Sequence, residues 1–186
     1  MDETAASRGT LLGAGGAAGE QAAERKPRGL KVVVAVDASE ESLHALSWAV
    51  DNVVRPNPTA ALLIIHAQQD AEHLAYPLAA QGIGYVPPWV LESARKAQVD
   101  NSRRVVARAL GICTAKQVEA TAVVVEGDAK EAIRQGAEQM QAGLLVLGSR
   151  GLGRIKRAFL GSLSDYLAHQ ASCPVLVVKQ PKAHAK

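Results

Sequence analysis

Aromatic side chains make up only 3% of this chain, so a core of any size has to be assembled from Val, Leu, Ile and Ala. Cysteine is almost as scarce. Cys113 and Cys173 stand alone and supply neither a disulfide framework nor metal-ligand spacing, and both read as free thiols. No apolar run approaches the roughly 18 residues of a membrane-spanning helix, which argues against a membrane protein. Charge of one sign is also missing. The 21 Lys and Arg nearly balance the 18 Asp and Glu, leaving +3, too little to predict a nucleic-acid-binding face. The start of the chain carries Asp2 and Glu3 where a secretory signal would carry cations, so it does not read as an export signal.

What is present is 48% apolar residue content, arranged in blocks. Residues 1–29 form a Gly/Ala-rich, then charged segment without apolar periodicity, and disorder is expected there. Gly13, Gly15 and Gly16 imitate a dinucleotide fingerprint, but no strand precedes them and the spacing to Gly19 is wrong. From Leu30 the character changes. "LKVVVAV" is a continuous β-branched run, the pattern of a strand buried on both faces. It stops at Asp37. Leu43, Leu46, Ala49, Val50 and Val53 then recur at helical spacing, with Ser39 placed as N-cap and Glu40 and Glu41 in the first turn. "AALLIIHA" predicts a second strand. Residues 68–88 are irregular, and Pro87 and Pro88 open a long helix whose polar face carries Glu92, Arg95, Lys96, Arg103, Arg104 and Arg108.

The alternation continues. "VEATAVVVEG" predicts the third strand, followed by a helix that Asp128 and Glu131 open as a capping-box-like pair. "GLLVLG" predicts the fourth strand, "SLSDYLAHQA" a helix, and "CPVLVVK" the fifth strand, with a short basic tail at residues 181–186. Strands and helices alternating five times predict a doubly wound α/β fold, its sheet mostly parallel with helices on both faces, as one domain over residues 30–180.

In such sheets ligands bind beyond the carboxyl ends of the strands, where strand order reverses. Two loops there differ in charge. "DASEES" after the first strand is anionic, and "GSRGLGRIKRAFLGS" after the fourth is cationic and glycine-rich. A helix N-terminus attracts anions, but the first helix already has carboxylates at that end. Hydroxyl or amino donors of a ribose or base suit it better than phosphate does. The helix opening at Gly161–Ser162 offers close backbone approach, the Ser162 and Ser164 hydroxyls, and the charge of Arg154, Lys156 and Arg157. Together the loops suggest a nucleotide.

Each of these residues also has a plainer reading. Asp37 can act only as a turn or cap residue, and Ser162 with Asp165 fits a loose capping box. The three cations can be a solvated cluster, and His66 at a strand end can be structural. Trp48 and Trp89 read as packing residues rather than stacking platforms. No phosphate loop of the Gly-x-x-x-x-Gly-Lys-Ser/Thr kind occurs, no nucleophile elbow follows a strand, and the five histidines show no metal spacing.

"VVVAVDASEES", "VEGDAKEAI" and the pattern G-2x-G-9x-G-S at Gly148, Gly151, Gly161 and Ser162 together resemble the universal stress proteins, over roughly residues 30–180. Residues 148–179, "GSRGLGRIKRAFLGSLSDYLAHQASCPVLVVK", look like the plant type in particular. The resemblance implies a five-stranded parallel sheet of order 3-2-1-4-5, with Asp37 and Gly148 flanking the switch point. It also implies binding of ATP, or of AMP or ADP. By position, Val36, Asp37, Ala38 and His66 would flank adenine and ribose. Leu147, Gly148, Arg150, Gly151 and Gly153 would wrap the ribose and α-phosphate. Gly161, Ser162, Leu163 and Ser164 would hold the outer phosphates, with Mg²⁺ bridging them. Members commonly dimerise by edge pairing of the last strand, here Pro174 to Val178.

The resemblance thus implies an ATP-binding regulator of stress responses, cytoplasmic with the nucleus left open, acting on a protein partner. The glycine spacing favours this over a nucleotide-independent dimeric adaptor. The absence of a general base near the phosphate loop favours it over a slow ATPase or an autophosphorylating enzyme with Ser149, Ser162 or Ser164 as acceptor.

Overall fold

The computed structural model describes residues 29–69, 86–149 and 161–180. Five strands build one sheet: β1 (Lys31–Ala35), β2 (Ala61–Gln68), β3 (Ala120–Glu126), β4 (Leu144–Gly148) and β5 (Val175–Val178). Their order is β3-β2-β1-β4-β5 and every pairing is parallel. The order expected from the resemblance is therefore the order observed. The apolar runs explain it physically. Val32, Val33 and Val34 in the central strand are all fully buried, because helices cover both sheet faces.

Successive residues of β1 divide between two cores. Val32, Val34 and Val36 pack with Leu43, Leu46, Val105 and Ala109, which come from α1 (Glu40–Ala49) and α2 (Pro88–Ala115). Val33 and Ala35 pack with Ile133, Ala137 and Leu167, which come from α3 (Ala129–Gln139) and α4 (Ser162–Gln170). The period-2 alternation of a strand is what sends neighbouring valines to opposite layers. Leu46, Ile64 and Leu145 are buried completely, and truncating any of them to Ala would cost about 2–5 kcal/mol.

The helix termini follow the expected capping with two departures. Ser39 caps α1 by accepting from the Ser42 N–H at 3.2 Å. The amphipathic run does not stay α-helical to its end. It passes into a π-helical segment, Val50–Val54, where the Arg55 N–H reaches back to the Val50 carbonyl at 2.9 Å. Asp128 caps α3 by accepting from the Lys130 and Glu131 N–H groups. The expected reciprocal half of that capping box is absent. The Glu131 carboxylate turns instead to Arg134, Gln135 and Tyr166.

Pro88 stands in the first turn of α2, as read from the sequence. The helix is 28 residues long, yet its buried positions begin only at Ser102. Trp89 lies before that seam and is 69% exposed, so its expected packing role does not hold, while Trp48 is partly buried against the α1 core. Residues 1–28, 70–85 and 181–186 fall outside the described residues, and with them most of the expected tail and the irregular segment.

Candidate functional site

The strand order reverses between β1 and β4. Chain from β1 proceeds to β2 on one side, and β4 lies on the other, with Val32, Val33 and Val34 in register with Leu144, Leu145 and Val146. The carboxyl ends of these two strands thus leave the sheet side by side. This is the crevice in which open α/β sheets hold ligands.

The β1 side is a tightly bonded turn. Asp37 Oδ1 accepts from the Ser39 N–H at 3.0 Å and from the Ser39 hydroxyl. The Asp37 N–H donates to Ser42 Oγ at 3.1 Å, and that hydroxyl in turn lies 3.0 Å from the Asp37 carbonyl and 3.1 Å from the Ser39 carbonyl. Sequence reading found Asp37 and Ser39 but missed Ser42, whose signal was its place three residues after the cap. The turn leaves Asp37 Oδ2 without a donor among the described residues. Asp37 therefore serves the turn with one oxygen, as the plainer of its two readings expects.

Val36 and His66 sit at the same strand ends. The Val36 N–H donates to the Ile65 carbonyl at 2.9 Å, and its carbonyl accepts from His66 Nδ1 at 2.8 Å. A carbonyl only accepts, so Nδ1 carries a proton. His66 is buried, and its ring locks β2 to the end of β1. Both polar backbone groups of Val36 are spent inside the protein. Ala38, next to Asp37, is exposed.

The β4 side begins at Leu147, which is buried in the core shared with α3 and α4. Gly148 follows, and its lack of a side chain has a packing cause. A Cβ at Gly148 would lie 3.0 Å from the Glu41 carbonyl carbon and oxygen and from the Ser42 nitrogen. The first turn of α1 fills that space, so the glycine lets α1 sit close to β4. The chain leaves the described residues at Ser149 and returns at Gly161, and these two are joined by a 2.9 Å bond from the Gly161 N–H to the Ser149 carbonyl. Arg150, Gly151 and Gly153, together with Arg154, Lys156 and Arg157, lie outside the described residues.

Gly161 is the N-cap of α4, with φ −69 and ψ 154, and it brings no side chain to the cap. The loose capping box of Ser162 and Asp165 is not formed, because Ser162 is already the first helical residue. Ser162 is exposed and Leu163 partly buried. Ser164 is 3% exposed and donates its hydroxyl to the Gly148 carbonyl at 2.8 Å. Among the described residues no group of three His, Cys, Asp or Glu side chains is placed to hold a metal ion, and no helix is long and apolar enough to cross a membrane.

Residues 30–179 match the universal stress protein family. The chain belongs to that family. Universal stress protein YxiE of Bacillus subtilis (strain 168) is 30% identical over 149 residues, which cover 80% of this chain and 98% of that protein. The solved structure of a universal stress protein family protein from Arabidopsis thaliana with AMP bound has 24% identity and a TM-score of 0.59, covering 82% of this chain and 93% of its own. A second, a universal stress protein in complex with cAMP, has 23% identity and a TM-score of 0.56, covering 81% and 97%. At these identities the likeness to the two structures is one of fold.

Proposed function

We propose that this universal stress protein binds an adenine nucleotide, ATP or its AMP and ADP relatives, and uses it to bias a surface read by a protein partner. The observation that carries the reading is the N-terminus of α4 among the four described α-helices. Ser39 caps α1 and Asp128 caps α3 with side-chain oxygens; α2 has no side-chain cap but opens on Pro88, which has no N–H to offer, whereas α4 starts at a bare glycine beside the carboxyl end of β4. The first-turn N–H groups at Ser162, Leu163 and Ser164 therefore have no capping side chain, and a phosphate oxygen is an acceptor that suits them. The carboxylate of Asp37, with Oδ2 open, suits the hydroxyl donors of a ribose. The AMP and cAMP complexes of similarly folded family members support the same ligand class.

The site works by binding and orientation. Gly161, Ser162, Leu163 and Ser164 would hold phosphate through backbone N–H groups, with the Ser162 hydroxyl as a further donor. The Ser164 hydroxyl is committed to Gly148 and fixes the helix instead. Arg150, Gly151 and Gly153 would complete the cradle. Mg²⁺ would arrive on the phosphates, as this ion commonly does. β5 ends the sheet, so pairing of two copies along Pro174 to Val178 would give the chain a dimer. The protein would act in the cytoplasm or the nucleus.

One observation bears on an autophosphorylating alternative. Ser149 and Ser164 are buried, while Ser162 is exposed at the helix start, so Ser162 is the acceptor that reading selects. The test of the main reading is mass spectrometry on the supernatant of heat-denatured purified protein. Adenine nucleotide near one per chain supports it. No nucleotide, together with no heat of ATP titration, rules it out. Phosphate on Ser162 after incubation with ATP would favour the alternative.

A further inference from the structure

The short helix α4 is tied to α3 by a bond that neither the core nor the cradle requires. Tyr166, in the second turn of α4, donates its phenolic O–H to Glu131 Oε2 at 3.0 Å. Glu131 stands in the first turn of α3, just after the Asp128 cap. Its carboxylate is held rigidly before Tyr166 arrives. Arg134 donates from Nη2 to Oε1 at 2.7 Å and from Nε to Oε2 at 3.1 Å, a paired contact, and Gln135 Nε2 adds a third donor at 2.8 Å. These hydrogen bonds, that of Arg134 first, pull the Glu131 carboxyl down from its ordinary 4.5 to about 2. The Lys130 ammonium lies 5.6 Å from the centre of the Tyr166 ring and clasps it further.

Resting on the nucleotide reading above, we propose that the Tyr166–Glu131 hydrogen bond is the positioning latch of the phosphate-binding helix, making Tyr166 and Glu131 positioning residues for the outer phosphates. The reasoning is geometric. α4 has nine residues, too few to be stable alone, so its direction is set by its attachments. Leu167 anchors it in the core and Ser164 fixes its first turn to β4. Leu163 and the Tyr166 ring pack against the same core, and the Gly161 N–H is bonded to the Ser149 carbonyl. To these contacts the Tyr166 hydroxyl adds a directional polar tie to the first turn of α3, and it sets the direction in which the N–H groups of Ser162, Leu163 and Ser164 point. Hydrogen bonds from an uncapped helix end depend on that direction, whereas the adenosine half of a nucleotide would rest on the Asp37 side.

Tyr166→Phe keeps the ring, its packing and the Lys130 contact and removes only the hydroxyl. Two readouts are taken on wild type, Tyr166→Phe, Glu131→Ala and the double variant: calorimetric affinity for ATP and for adenosine, and amide hydrogen exchange of α4 relative to β1 without ligand. The latch predicts that Tyr166→Phe weakens ATP about fivefold while leaving adenosine within about twofold, as loss of one hydrogen bond implies. It predicts that the double variant binds ATP no worse than Glu131→Ala, and that exchange rises in α4 but not in β1. Unchanged ATP affinity and unchanged α4 exchange in Tyr166→Phe would overturn the latch while wild-type binding upheld the nucleotide reading. Equal weakening of ATP and adenosine would reduce Tyr166 to a structural role and overturn it as well. A wild-type chain that bound neither ligand would overturn the nucleotide reading, and the phosphate role of Tyr166 with it.

Discussion

The Ser164 hydroxyl donates to the Gly148 carbonyl across 2.8 Å, joining the first turn of α4 to the last residue of β4. Gly148 belongs to the glycine-and-serine pattern and Ser164 was expected beside the outer phosphates; in the fold the two are bonded to each other. Ser164→Ala leaves a buried carbonyl without its donor. The expected loss is about 1–3 kcal/mol in folding stability, read from urea denaturation. ATP affinity should fall more than adenosine affinity, because the phosphate helix moves while the Asp37 turn does not.

Gly148→Ala tests the packing cause assigned to this glycine. The new methyl group would meet the α1 backbone at Glu41 and Ser42, and backbone cannot step aside as a side-chain tip can. The expected cost is about 1–3 kcal/mol by denaturation. A variant as stable as wild type would return Gly148 to a purely ligand-facing role.

Asp37→Ala should weaken adenosine and ATP by similar factors, since the open Oδ2 is assigned to the ribose. Titration of both ligands reads it. Weakening of ATP alone would instead place Asp37 at the metal. The variant also removes the acceptor for the Ser39 N–H, so its denaturation midpoint must be measured beside its affinity.

The acid limb of the stability profile should carry the mark of Glu131. Its carboxyl is depressed to about 2 in the folded chain from an ordinary 4.5. A depressed carboxyl stabilises the fold fully above its unfolded value and loses that contribution as pH falls through the folded one. Stability should therefore decline between pH 4.5 and about 2, and Glu131→Gln should flatten that decline in urea midpoints measured across the range. Because the pair is exposed, added salt should shrink the difference.

The layered fold was legible because each strand is an unbroken apolar run and each helix an amphipathic one. Those patterns are local. Relations across the sheet were not. Gly148 was legible as part of the glycine pattern, but not its close approach to the backbone of Glu41, over a hundred residues earlier in the chain. Glu131 looked like half of a capping box because it follows Asp128 at the right interval. Its actual partners include Tyr166, on another helix. Trp89 looked like a packing residue, but the seam of α2 begins only at Ser102, a boundary that periodicity cannot reveal. The π-helical segment escaped notice because Val50 and Val53 keep helical spacing on either reading. Of the site itself, the charge contrast singled out the two strand ends that the sheet order sets side by side, and the opening of α4 at Gly161–Ser162 was legible too, while the absence of the Ser162–Asp165 capping box emerged only from the structure.

The central claim is that the bare N-terminus of α4 receives phosphate, and Gly161→Asp tests it most directly. The backbone at φ −69 and ψ 154 is one that any residue adopts, and an aspartate there would cap the helix with its own carboxylate. Calorimetric titration of this variant beside wild type, with ATP and with adenosine, separates the two halves of the ligand. The account predicts unchanged or slightly raised stability, unchanged adenosine binding, and ATP binding reduced at least tenfold by about 1.4 kcal/mol or more of lost contacts and repulsion. ATP binding equal to that of wild type would contradict it.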